Sequence, residues 1–337
     1  MRRPGYLAVL VGLVLGLLAG CGDAPPGPGE LAVAAGPSTS PSPANPVPLP
    51  SGWRWEAYAG VQVGVPGDWG YARSSADQII TQWCIGRPVR NVVARPGATT
   101  LVGCGLDQVG DPGTRIAVAG VFVAFGPGGA AGTVEEGDRT TVILPAASVA
   151  VQAAPELRRQ IVATIHPIER DHNGCPVDHP ISLDPGRTPE PAIKVSSLTA
   201  VTAVTACKYA IPWPQPAPGA GIGPGLRASV RLTAADAQAA IDRIADAPRG
   251  GGPDEPSTCA VDYSYGEDII VLSVTSGRTT SEIYLRYSGC DHNGFDDGVA
   301  VRSLTAEAVR PFVGPNMGGG GISGPREKVE MICPECL

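Results

Sequence analysis

The tetrapeptide Asp-His-Asn-Gly stands at 171–174 and again at 291–294, each time beside a cysteine. In the first copy His172, Cys175, Asp178 and His179 fall in an H-x2-C-x3-H spacing, a set of donors that a zinc ion could use. The second copy opens an oxygen-rich loop of Asp291, Asn293, Asp296 and Asp297, with His292 beside it. A calcium loop needs an oxygen ligand at its fifth position, and Phe295 stands there instead. Asn-Gly is also a strong turn signal, because Asp and Asn side chains bond their own backbone. The favoured reading is therefore a turn pinned by a disulfide, and the metal site is its competitor, with His172, His179, Asp291 and His292 as its candidate ligands.

Two other groups of residues invite chemistry. Cys333-Pro334-Glu335-Cys336 is a C-x-x-C pair, but a redox pair lowers its thiol pKa at a helix N-terminus, and only Leu337 follows. A small terminal disulfide is the expectation. Trp53, Trp55, Trp69, Trp83, Tyr58 and Tyr71 crowd one stretch and could stack on sugar rings. They are also nearly all of its large apolar side chains, so core packing is the expected role. No G-x-S-x-G, H-E-x-x-H or P-loop sequence occurs. No catalytic residue is assigned and no cofactor is expected.

The chain that must position these groups has 337 residues, 43% hydrophobic and 17% charged, enough to bury a sizeable core. Its 25 Lys and Arg against 32 Asp and Glu give a net charge of −7, which argues against a nucleic-acid partner. Gly 45 and Pro 35 point to long irregular stretches beside compact ones.

Arg2 and Arg3 precede an apolar run at 6–19, the charged and hydrophobic regions of an export signal. The run is shorter than the roughly 20 apolar residues that a spanning helix needs. It closes on Leu18-Ala19-Gly20-Cys21, and these residues resemble the lipobox of bacterial lipoproteins. The resemblance covers residues 1–21 and implies thioether lipidation of Cys21, with cleavage just before it. Loss of the leader removes Arg2 and Arg3 and makes the chain still more acidic, so the lipid must supply the hold on an anionic leaflet. The stretch around WRWEAYAGVQVGVPGDWGY resembles exported lipoproteins of high-GC Gram-positive bacteria that carry no assigned activity. That likeness implies an architecture and an address, and no catalytic residue.

Setting Cys21 aside leaves eight cysteines, an even set that fits disulfides in an exported protein. Residues 21–50, with nine prolines in 22–50, read as a disordered tether after a signal peptide at 1–20. Residues 51–174 read as a first α+β domain. Its strands are expected at Trp53 and Trp55, at Val61, Val63 and Val65, and over 98–104, 115–125 and 140–152. A helix opens at Pro155 with Leu157, Ile161, Val162 and Ile165 on one face. Residues 175–313 read as a second such domain, and 314–337 as a flexible tail.

In the second domain Thr233 and Asp236 look like the cap of a helix with Ala237, Ala240, Ile241, Ile244 and Ala245 buried. A three-strand meander is expected over 257–265, 268–275 and 281–288, then a helix over 306–313 capped by Thr305. Three strands would put Cys259 and Cys290 at opposite ends, too far apart to bond. The expected pairs are therefore Cys207 with Cys290, Cys175 with Cys259, Cys84 with Cys104, and Cys333 with Cys336.

The reading that follows is an α+β protein of two small domains with antiparallel sheets, braced by disulfides. It is expected on the extracytoplasmic face of the cell membrane, held by its lipid, as a non-catalytic binding or structural module. A cell-wall or envelope component is the partner this address allows. The alternative is a metal-assisted hydrolase using Asp171, His172 and His292.

Overall fold

Val61, Val63 and Val65, all fully buried at period two, fix which face of the first hairpin enters the core. The computed structural model describes residues 48–71, 90–95, 120–211, 225–259 and 264–317. In it, β1 (Trp53–Tyr58) and β2 (Val61–Pro66) pair antiparallel through a two-residue turn at Ala59 and Gly60. Both turn residues have positive φ, 45° and 82°, the backbone that matches the twist of paired strands. A short β9 (His166–Pro167) completes this sheet beside β2.

A second, mixed sheet holds β3 (Gly70–Tyr71), β4 (Arg90–Ala94), β5 (Val121–Pro127), β6 (Gly132–Glu136), β7 (Arg139–Ile143) and β8 (Ala147–Gln152). Their order is β3-β4-β5-β8-β7-β6, parallel over the first three and antiparallel beyond. The stretch expected as one strand over 140–152 is a hairpin. The turn carries Pro145, which has no N–H for a ladder, and Leu144 N donates to Ala147 O at 3.0 Å to close it. Helix α1 (Pro155–Val162) opens on Pro155 as expected and buries Ile161 fully, with Leu157, Val162 and Ile165 against the same core.

The third sheet is antiparallel throughout, in the order β11-β10-β12-β13-β14-β15. It comprises β10 (Val201–Ala210), β11 (Gly225–Thr233), β12 (Asp268–Ser276), β13 (Thr279–Arg286), β14 (Gly294–Asp296) and β15 (Val301–Arg302). Helix α2 (Ala234–Asp246) lays Ala237, Ala240, Ile241 and Ile244 on one face of it, against Val204, Leu272, Ile283 and Leu285. The other face packs Tyr209, Leu226, Ile269, Val271 and Tyr284 around Cys175 and Cys207. Thr233 leads into α2 in extended conformation, but its side chain makes no capping bond. Thr305 does cap, accepting from Ala308 N at 3.3 Å at the start of α3 (Ala306–Val309). Helix α3 gives way to a 3-10 turn over Arg310–Phe312 where Pro311 enters, so the helix expected over 306–313 is shorter.

The expected disulfide pairing is corrected here. Cys175 bonds Cys207 and Cys259 bonds Cys290, with Cα atoms 5.6 Å and 5.3 Å apart. The error lay in the strand count. Residues 256–258 form a 3-10 turn and not a strand, and among the described residues two strands, β12 and β13, separate Cys259 from Cys290. A hairpin returns the chain to the end where it began, and Glu255 N donates to Cys290 O at 2.7 Å there. In the chain-entropy account a loop of this length contributes about 3–4 kcal/mol per link.

The tail is also ordered where it begins. Pro315–Met317 is a 3-10 turn, Met317 is buried, and Lys208 Nζ donates to its carbonyl at 2.9 Å. Residues from Pro46 onward cluster as one compact unit, with the boundary expected at 174/175 inside it. Cys21, Cys84, Cys104, Cys333, Cys336, Trp83, the tether up to residue 47, the strand expected at 98–104 and the rest of the tail lie outside the described residues.

Candidate ligand-binding cleft

The two Asp-His-Asn-Gly copies fold into turns that use different members of the motif. In the first, the buried Asp171 carboxylate is the hub. Its Oδ1 accepts from Asn173 N at 3.0 Å and Cys175 N at 2.7 Å, and its Oδ2 accepts from the Ser229 hydroxyl. Gly174, at φ 98°, makes the left-handed step that closes the turn. In the second, the fully buried Asn293 takes over, its Nδ2 donating to Pro253 O, Asp254 Oδ1 and Gly289 O at 2.7–3.0 Å.

The candidate metal ligands are dispersed accordingly. His179 Nδ1 accepts from Ile181 N, its Nε2 lies 3.2 Å from Glu282 Oε1, and its ring stacks on Tyr209. His292 stacks on Tyr265, and Asp291 Oδ1 accepts from the His292 amide at 2.7 Å. Asp296 pairs with Arg286 at 2.9 Å, while Asp297 accepts from Val195 N at 2.8 Å and from Val299 and Ala300 N. Cys175 is oxidised. Among the described residues no three His, Cys, Asp or Glu side chains stand together as a metal set.

The first turn instead borders a cleft of about 220 Å³ between β1, β11 and the turn at Pro315–Met317. Strand β1 aims Arg54 and Glu56 to one face because they are two residues apart. Glu56 lies at the centre and is 3% exposed. Its Oε1 accepts from Arg54 Nε at 2.7 Å and from the Tyr71 hydroxyl at 2.7 Å, and its Oε2 accepts from Arg95 Nη2 at 2.6 Å. Arg95 is 9% exposed and also donates to Asn316 O at 3.2 Å. Arg54 reaches Gly67 O at 2.6 Å and lies over the Tyr71 ring. Across the cleft stand His172 and Arg231, and Arg231 Nη1 donates to Asn173 O at 3.2 Å.

The electrostatics follow from this crowding. Burial alone would push the Glu56 carboxyl up. The Arg95 charge, the Tyr71 and Arg54 hydrogen bonds and the Arg54 charge together outweigh burial and hold it below the usual range. Burial, with the Glu56 charge and hydrogen bond, pushes the Tyr71 phenol up to about 12, so it stays a donor. Burial also lowers His172, and the pull of Asp171 and Glu56 does not restore it. Burial thus favours the neutral imidazole. Arg54 Nη2 and Arg95 Nε are closed off from solvent and have no hydrogen-bond partner among the described residues.

Ser229, His172 and Asp171 are the residue types of a hydrolytic triad, but the wiring differs. The Ser229 hydroxyl donates directly to Asp171, and no imidazole lies between them to accept its proton. Tyr58 and Trp69, 3% and 5% exposed, take core roles and Trp53 packs against the same core, whereas Tyr71 and Trp55, edge-on to His166, line the cleft. Sequence reasoning singled out His172 here but missed Arg54, Glu56, Arg95, Arg231 and Asn316. The available signal was Arg54-x-Glu56, opposite charges at strand spacing threaded between tryptophans. Comparison with family models, with curated proteins and with solved structures finds no match for this chain.

Proposed function

We propose that the chain is a lipid-anchored extracytoplasmic binding module, held to the membrane through Cys21 and presenting the β1/β11 cleft beyond a Pro-rich tether. The observation that carries the binding reading is the cleft floor. Glu56 has both oxygens committed to donors, Ser229 is committed to Asp171, and the cleft is rich in fixed cations. Such a set holds a ligand by charge and shape, and among the described residues no imidazole is placed to take the Ser229 proton. The stretches 51–174 and 175–313 both line the cleft, and Asn316 joins them. The leader, the Leu18-Ala19-Gly20-Cys21 sequence and two disulfides support an address outside the cytosol. A cell-wall or envelope component is the partner that this address favours.

The test is metabolic labelling of cells with an alkyne-tagged fatty acid. The protein should take up the tag, and Cys21→Ala should abolish it. An untagged wild-type chain, or a tag retained by Cys21→Ala, would overturn the anchor.

A further inference from the structure

We infer that the cleft recognises a carboxylate, the anionic end of a small ligand. This rests on the binding reading above and names the chemistry of that same site. Arg54 and Arg95 both lean on one carboxylate, Glu56, and the second anion beside the cleft, Asp171, is bound through Ser229. Arg231 adds a third guanidinium at the more exposed side. Three guanidiniums thus face two carboxylates, and an acceptor-only anion is the group that balances the remainder. Guanidinium is donor-only, so the group that the cleft takes must be an acceptor.

The surplus over the cleft as a whole is a single charge, which suits a carboxylate better than a dianionic phosphate. Guanidinium geometry also matches a planar carboxylate. The volume of about 220 Å³ is small for a ligand pocket, so it admits a small acid or the end of a longer chain. Trp55 and Tyr71 supply flat apolar surface beside the cations for whatever carries the anion.

Calorimetric titration of the full chain in detergent tests this with acetate, acetyl-alanyl-alanine, its C-terminal amide and inorganic phosphate. The carboxylates should bind and the amide should not, with phosphate weaker. Arg231→Gln, at an exposed position, should weaken carboxylate binding about tenfold without lowering the melting temperature. Arg95→Gln should abolish binding, and if that variant does not fold, the Arg231→Gln and amide results decide. Equal binding of acetate and the dipeptide assigns a free small acid, while tighter dipeptide binding assigns a chain terminus, and both support the inference. Binding of phosphate alone, equal binding of acid and amide, or no heat with any probe would overturn it. None of these outcomes touches acylation of Cys21, so the two ideas fail separately.

Discussion

Glu56→Ala is expected to destabilise the folded chain by about 3–5 kcal/mol, the cost of leaving a buried cation without its partner. Arg95 is nearly as deeply buried as Glu56, and the two lie 2.6 Å apart, so Arg95 cannot turn to water when the carboxylate is lost. Tyr71 would lose its acceptor and Arg54 its ion pair in the same step. For a domain of this size the loss corresponds to roughly 10 °C in melting temperature, read by calorimetry. Glu56→Gln should be nearly as harmful, because it keeps the volume and removes the charge. Glu156→Gln is the control: Glu156 pairs with Arg159 on the exposed surface of α1, where water already solvates both, and melting should not move. A Glu56 variant that melts like the wild type would show that the ion cluster contributes nothing.

Lys208→Met should have an effect of similar size at a second buried ion pair. Lys208 Nζ lies 3.0 Å from Asp268 Oδ2, and both residues are under 5% exposed in the sheet formed by β10 and β12. Burial opposes the Lys208 charge, but Asp268 and Tyr287 overcome that and raise its pKa, so the ammonium persists across the working range. Burial, relieved in part by Lys208, pushes the Tyr287 phenol up to about 12. Removing the ammonium leaves Asp268 as an uncompensated buried anion, at a cost of about 3–5 kcal/mol in urea unfolding. The double variant Lys208→Met with Asp268→Asn should recover much of it, because desolvated pairs contribute little beyond what apolar or neutral replacements supply. Lys208 also holds the Met317 carbonyl, next to Asn316 at the cleft, so the single variant should loosen that turn.

Local pattern made part of the fold legible. Val61, Val63 and Val65 announced β2, the Ile241 and Ile244 stripe announced α2, and Ile283, Leu285 and Tyr287 announced one buried face of the β13 segment. Strands β10 and β11 escaped because β10 is covered on both faces from Ala203 onward, so no two-residue alternation marks it. The disulfide pairing failed with the strand count, since one false strand reverses which end of a hairpin a cysteine occupies. The cleft was the least legible part. Arg95 and Asn316 touch across 221 residues of sequence, and Arg54, His172 and Arg231 reach the same space from different elements. No local spacing encodes such an encounter. The paired Asp-His-Asn-Gly motif drew attention for its chemistry, yet Asp171 and Asn293 serve as the hubs of buried turns.

The state of Glu56 underlies both the stability of the cleft and its surplus of positive charge. A carboxylate whose folded pKa lies below its unfolded value contributes stability above the unfolded value, near pH 4.5, and loses it as pH falls through the folded pKa. The direct measurement is a carbon NMR titration of the Glu56 carboxyl, assigned by its loss in Glu56→Gln. The account predicts a midpoint below that of an ordinary glutamate, with the fold weakening under acid as it is crossed. A midpoint at or above the ordinary value would mean that burial outweighs the guanidiniums, and the ion cluster described here would not exist.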